Sequence, residues 1–188
     1  MLTLKDGRLT GAPPESLPSQ IAAHLRRSPA TTVLFSPFLA ATSVIVPVPK
    51  SSLQKEDSLW VPAQLAAALV HAGFGSRAAS LLNRSEAIPK AATSDPGARP
   101  DALRHYRTLA VQKDLGTIRQ ILLVDDVVTS GTTLLGSANR LADAYPGVPI
   151  RCFAAMRTES DPAGLTALID PVVGEITLRP NGKVRRRP

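Results

Sequence analysis

The spacing of apolar and polar positions predicts strands alternating with helices. The strongest block, Ile121 to Val124, sets four apolar residues together without a polar interruption, as a strand buried on both faces does. Beyond it, Thr132 to Tyr145 follows helical spacing, with Leu134, Ala138, Leu141 and Tyr145 on one face and Asn139, Arg140 and Asp143 opposite. Ser43 to Val48 predicts a second strand, and Pro47-Val48-Pro49 limits its ladder, so the chain must leave the sheet there. Leu59 to Ala72 predicts an amphipathic helix: Trp60, Leu65, Leu69 and Ala72 share a face, Pro62 suits the first turn, and Gly73 and Gly75 close it. Ile150 to Met156 predicts the next strand, Pro162 to Ile169 a short helix and Val172 to Leu178 a last strand.

Nearer the N-terminus, Gly11 to Pro18 predicts an irregular lead-in. Ser19 can cap a short helix over Gln20 to Arg27, which Pro29 stops, and Thr31 to Phe35 predicts a short strand. A weaker strand is expected over Ser80 to Asn83. From Ser85 to Arg99 the pattern dissolves into Ala, Pro, Ser, Asp and Gly, and a loop of that length is commonly a functional lid. A helical turn over Asp101 to His105 and a hairpin arm over Tyr106 to Val111 follow. Strands alternating with helices predict one α/β domain with a mainly parallel sheet, and no internal repeat is visible.

Composition narrows this picture. At 188 residues the chain can bury one proper core, and aromatics at 4% make a base-stacking platform a poor expectation. The single Cys152 excludes an internal disulfide framework and a cysteine-built zinc site, and its apolar surroundings predict a small buried hydrophobe. No stretch approaches the ~20 apolar residues of a membrane span, and the N-terminus has no apolar signal core, so a cytoplasmic protein is expected. Of the net charge of +7, four charges come from Lys183, Arg185, Arg186 and Arg187. That basic end reads as a solvated, disordered tail, with a nucleic-acid contact as the alternative.

The candidate chemistry gathers after the central strand. Asp125 and Asp126 follow it where it is expected to leave the sheet, and Thr129-Ser130-Gly131-Thr132-Thr133 follows as a hydroxyl-rich turn into a helix. The first N–H groups of a helix lack intrahelical partners, so with these hydroxyls and the helix dipole they suit a monophosphate. Gly131 is expected to let the backbone approach that anion. No lysine sits in the loop, which excludes a triphosphate P-loop. The carboxylates suit a vicinal diol or hydrated Mg²⁺. A response-regulator receiver domain also ends a strand in two acids, but near its N-terminus; here the acids come late in the chain, and Asp161 and Asp170 precede prolines rather than end strands.

Ile121 to Thr133 resembles the phosphoribosyl-pyrophosphate (PRPP) signature of type I phosphoribosyltransferases: four apolar residues, two acids, two apolar residues, then Thr-Thr-Gly-x-Thr, with Ser130 in place of the second threonine. The segment VPVPK, ending at Lys50, resembles the competence-protein-F-like branch, whose frequent N-terminal zinc-binding cysteine cluster this chain lacks. The resemblance implies a type I phosphoribosyltransferase-like fold over residues 31–180, with residues 1–30 as lead-in or hood and residues 181–188 as a basic flexible tail. It implies that Asp125 and Asp126 hold the ribose hydroxyls, directly or through Mg²⁺, and that Val127, Val128, Thr129, Ser130, Gly131, Thr132 and Thr133 cradle the 5-phosphate. Pro49, Lys50, Ser51 and Ser52 would receive pyrophosphate, and Arg99, Arg104 and Arg107 are interchangeable candidates for a closing lid. His105 is the histidine worth testing as a proton carrier.

The implied activity is Mg²⁺-assisted transfer of a phosphoribosyl group to a nucleobase-like or amine acceptor, with release of pyrophosphate, by a homodimer. The alternative is a non-catalytic PRPP sensor linked to nucleic-acid handling or DNA uptake through the basic tail. The acceptor pocket would come from residues 1–29 or 161–180, neither of which carries a readable base-recognition pattern, and Trp60, Phe35, Phe38 and Phe74 are available for stacking.

Overall fold

The computed structural model describes residues 9–10, 15–53, 58–89, 100–159 and 171–187. In chain order these form β1 (Leu9–Thr10), β2 (Glu15–Ser16), α1 (Leu17–Arg27), α2 (Pro29–Phe35), β3 (Val44–Pro47), α3 (Val61–His71), β4 (Arg77–Ala78), β5 (Leu82–Arg84), α4 (Ala102–Arg107), β6 (Leu109–Val111), β7 (Ile121–Val128), α5 (Thr132–Ala144), β8 (Ile150–Arg157), β9 (Glu175–Leu178) and β10 (Val184–Arg187). Strands β4, β3, β7 and β8 lie side by side in that order, and every neighbouring pair is parallel. The expected α/β architecture, a parallel sheet flanked by helices, is present.

Alternation along β7 explains why its first half tolerates no polar residue. Leu122 and Val124 pack with Ile45, Phe153 and the α3 residues Leu65 and Leu69, with Ala22 and Leu25 of α1 in the same cluster. Ile121 and Leu123 join the other cluster, with Val44, Val46 and the α5 residues Leu134 and Leu141. All four β7 side chains are fully buried, and each contributes roughly 1.5–3 kcal/mol relative to exposure. Strand β7 is thereby fixed between two helical layers, and its carboxyl half carries the candidate chemistry.

Several elements differ from expectation. Thr31 to Phe35 is helical, not a strand. Ser28 caps α2, its Oγ accepting the Thr31 N–H at 3.4 Å and the Thr31 hydroxyl at 2.8 Å. With Pro29 preset for the first turn, the cap outweighs the β-branched run. Helix α1 begins earlier than expected, because Ser16 rather than Ser19 is its N-cap. Helix α3 begins at Val61, leaving Trp60 outside, where its indole N–H donates to the Val48 carbonyl at 2.8 Å.

Strand β5 ends at Arg84 rather than Asn83, and Tyr106 belongs to α4 rather than to the hairpin arm. The arm shortens to β6, antiparallel to β5. The basic end expected to be solvated and disordered forms β10, antiparallel to β9. The expected helix over Pro162 to Ile169 lies outside the described residues, as do Lys90 and Arg99 of the long loop. Among the described residues, no helix is long and apolar enough to cross a membrane.

Candidate functional site

The two acids sit inside β7 rather than after it. Strand β8 continues to pair past them, Asp125 lying opposite Ala154 and Val128 opposite Arg157, so the ladder persists where the sequence suggested a departure. Alternation sends Asp125 and Asp126 to opposite faces, both half-buried. Each carboxylate accepts the N–H of the next residue: Asp125 Oδ1 from Asp126 at 2.9 Å and Asp126 Oδ1 from Val127 at 3.0 Å. A carboxylate has about four acceptor positions, so these local bonds are compatible with a ligand hydroxyl. Across the strand, burial and then the Asp125 charge push the Cys152 thiol up to about 12. Cys152 is therefore protonated at neutral pH, in line with an inert role.

The hydroxyl loop follows without a gap. Thr129 and Ser130 are exposed, Thr132 and Thr133 half-buried, and the Ser130 and Thr132 hydroxyls hydrogen-bond to each other. Gly131 holds a left-handed φ of +85° at the N-cap of α5. It also has a packing role that the sequence does not signal: a Cβ there would come within 2.7–2.9 Å of three Ile176 side-chain atoms. The missing side chain makes room for Ile176 of β9. Strand β10 is tied down alongside, where Arg186 Nη2 donates to the Thr158 carbonyl at 2.6 Å and the Thr158 N–H bonds the Val128 carbonyl at 3.0 Å. The C-terminal hairpin thus covers the end of β7 and the turn into α5.

Gly131→Ala is expected to cost about 2 kcal/mol, from the left-handed backbone and from overpacking against Ile176. Denaturant titration of Gly131→Ala with and without Ile176→Ala checks this. Removing the Ile176 side chain should recover the steric share and leave the backbone share.

The Lys50 segment meets this region through the sheet. Pro47 lies opposite Val124, and the Val48 N–H donates to the Val124 carbonyl at 2.8 Å. The chain therefore leaves β3 beside the first acid of β7. Pro49 is buried, and Lys50 is half-buried with Nζ on Ser58 Oγ at 2.8 Å. Burial lowers the Lys50 pKa from its ordinary value. The Ser51 carbonyl accepts the Ile88 N–H at 2.8 Å, and Ser52 is exposed.

Arg84, which carries no functional signal in the sequence, holds this segment from behind. It is only 8% exposed; its Nε donates to the Lys50 carbonyl at 3.1 Å and its Nη1 to Thr108 Oγ1 at 2.6 Å. Burial lowers its pKa to about 10. One arginine after a weak strand gave no sequence signal for such burial.

The expected lid residues divide. Arg104 and Arg107 are exposed in the last turn of α4, while Arg99 lies outside the described residues. His105, the proton-carrier candidate, is 5% exposed on the side of α4 that meets α5, with Nε2 3.4 Å from Thr133 Oγ1. Burial, then the Arg84 charge, lower its pKa to about 4, against a smaller raising effect of Asp101. His105 is neutral at pH 7.

Beside Asp125, on β8, Phe153 and Ala154 help line a cavity of about 90 Å³ with Phe35, Phe38, Val172 and Val173. Phe35 meets Phe38 and Phe153 edge to face, at centroid distances of 6.3 and 5.8 Å. The structure therefore brings together the acid pair, the hydroxyl loop and the Lys50 strand end, with an aromatic-walled cavity one strand away. Compared with known proteins, the chain matches no family model and no curated protein.

Proposed function

We propose that the chain is a phosphoribosyltransferase of type I architecture that binds PRPP and transfers its phosphoribosyl group to a nucleobase-like or amine acceptor, releasing pyrophosphate. The observation that carries this reading is the unbroken run from the acid half of β7 through the hydroxyl loop to the start of α5, with the Lys50 segment leaving the sheet next to it. In this reading Asp125 and Asp126 accept the ribose hydroxyls. Thr129, Ser130, Thr132 and Thr133, with the N–H groups at the start of α5, hold the 5-phosphate. Lys50, Ser51 and Ser52 receive the pyrophosphate, and Arg104 or Arg107 would close over it. The acceptor lies in the cavity beside Ala154, whose Phe35 and Phe38 walls suit a planar ring.

The bond from C1 to the pyrophosphate oxygen breaks with its electron pair leaving on that oxygen, and the acceptor nitrogen forms the new bond and gives up a proton. Charge grows on the leaving group, so a fixed ammonium and backbone dipoles stabilise the transition state more than the ground state. Magnesium fits the donor set. Asp125 and Asp126 point to opposite faces, so one of them would offer its hard oxygens, and this ion is usually held by one or two carboxylates plus substrate phosphates. Among the described residues no group of three His, Cys, Asp or Glu forms a dedicated cage. Bound there, the ion would neutralise charge on the departing pyrophosphate. A homodimeric, cytoplasmic enzyme belongs to the same proposal.

A second reading is favoured by the C-terminal hairpin. Arg179, Lys183, Arg185 and Arg187 are exposed on it, and its Ile176 packs on Gly131. A PRPP sensor could use that cationic surface on nucleic acid.

Calorimetric titration with PRPP and Mg²⁺, followed by a pyrophosphate-release assay across nucleobases and amines, separates the readings. The enzyme reading expects binding and turnover with at least one acceptor. Binding without turnover, together with salt-dependent nucleic-acid binding, selects the sensor. Absence of PRPP binding overturns both.

A further inference from the structure

A buried arginine bonded to neutral partners is costly unless its position serves something. Among the described residues Arg84 forms no ion pair, and its Nη2 is buried without a hydrogen-bond partner. What it does form is a strut. On one side is the Lys50 carbonyl, 3.1 Å from Nε. On the other is Thr108 Oγ1, 2.6 Å from Nη1, with the His105 carbonyl at 3.5 Å. Thr108 in turn donates to the Arg104 carbonyl at 2.8 Å, which ties the strut into the last turn of α4.

Helix α4 is itself fixed to α5. A Cβ on Gly136 would come within 2.6 Å of the Ala102 carbonyl and 2.7 Å of His105 Cβ, so the two helices touch at a point where only glycine fits. Tyr106 Oη donates to Asp143 at 2.5 Å, Arg140 Nε donates to the Leu109 carbonyl at 2.8 Å, and the Arg140 guanidinium lies over the Tyr106 ring. At the first turn of α5, Thr133 faces His105. A contiguous path therefore runs from the Lys50 segment through Arg84, α4 and α5 to the hydroxyl loop.

We propose that Arg84 is a positioning residue that couples the two anion-holding halves of the site, so that a ligand on the Lys50 side and one on the Thr129–Thr133 side bind cooperatively. This rests on the reading of the site as a PRPP pocket. A ligand drawing on Lys50 fixes the backbone carbonyl that Arg84 holds. Arg84 then holds α4 against α5, and the hydroxyls at the start of α5 meet the second ligand already in place. Such coupling is reciprocal: each ligand tightens the other by the same factor.

The test uses ribose 5-phosphate and Mg²⁺-pyrophosphate as separate probes, each titrated calorimetrically alone and with the other saturating. In the unaltered protein, pyrophosphate is expected to tighten ribose 5-phosphate about fivefold or more. In Arg84→Met that coupling is expected to vanish while ribose 5-phosphate alone still binds. Arg84→Lys, which keeps the charge and loses the two-sided bonding, should lose the coupling as well. Thr108→Val cuts only the α4 end of the strut, and it serves if Arg84→Met does not fold; its coupling must also fall. Coupling unchanged in these variants overturns the proposal. So does loss of pyrophosphate binding in Arg84→Met with coupling intact in Thr108→Val, which would make Arg84 a direct ligand contact. If both probes bind the unaltered protein independently, the strut fails and the pocket reading stands; if neither binds, the pocket reading fails and the strut with it.

Discussion

Folding stability is expected to fall by up to about 3 kcal/mol as pH drops from about 6.5 to about 4, with His105 as the cause. The sign follows from the direction of the shift. Burial first and the Arg84 cation second depress the folded-state pKa to about 4 from the ordinary 6.5. Above 6.5 neither the folded nor the unfolded chain protonates this ring, and the full stability is present. Between the two values the unfolded chain takes a proton that the folded chain refuses, so stability declines with pH; below about 4 both carry it and the contribution is gone. Carboxylates also begin to titrate at the lower end, so the comparison that isolates the ring is denaturant unfolding of the unaltered protein against His105→Gln across this window. His105→Gln should be less stable at pH 7 and have a flatter pH dependence. Equal slopes in the two proteins would place the ring in a solvated environment.

The central strand was readable because burial on both faces permits only one kind of sequence, and Ile121 to Val124 satisfies it. Helices α3 and α5 were readable for the related reason that one face of each meets that sheet. The features that local sequence does not report depend on partners distant in the chain. The acids stay in the sheet because β8 runs on to Arg157, which no local feature of Asp125 or Asp126 reports. Arg84 resembled any loop arginine until Lys50 and Thr108 were seen to close around it.

In two places charge and β-branching mask a local signal. Ser28 followed by Pro29 is a helix start, yet Thr31, Thr32 and Val33 suggested a strand. Asn181-Gly182 between Leu178 and Val184 is a hairpin signal, yet the arginines around it suggested a solvated tail. The hairpin matters for the site, because it brings Ile176 onto Gly131 and so covers the loop.

Asp125→Asn combined with Asp126→Asn is expected to weaken PRPP binding by about 100-fold or more and to lower turnover at least as much. An ionised carboxylate accepts ligand hydroxyls through charge-assisted bonds worth roughly 1.5–3 kcal/mol each, and two such losses amount to about 3 kcal/mol or more. The fold should survive. Each acid's contact to the local backbone is an oxygen accepting a neighbouring N–H, Asp125 from Asp126 and Asp126 from Val127, and an asparagine keeps a carbonyl oxygen for that bond. The buried run from Ile121 to Val124, which anchors the strand, is untouched. Asp114→Asn is a suitable control: Asp114 pairs with Arg77 at 2.9 Å and takes no part in the proposed site, so its loss should leave PRPP binding as it was. Titration calorimetry with PRPP and Mg²⁺, alongside thermal unfolding of each variant, reads both quantities. Full affinity in the doubly substituted protein, with an unchanged unfolding profile, would mean that the acid half of β7 does not face the ligand. The assignment of ribose to that end of the sheet would then be withdrawn.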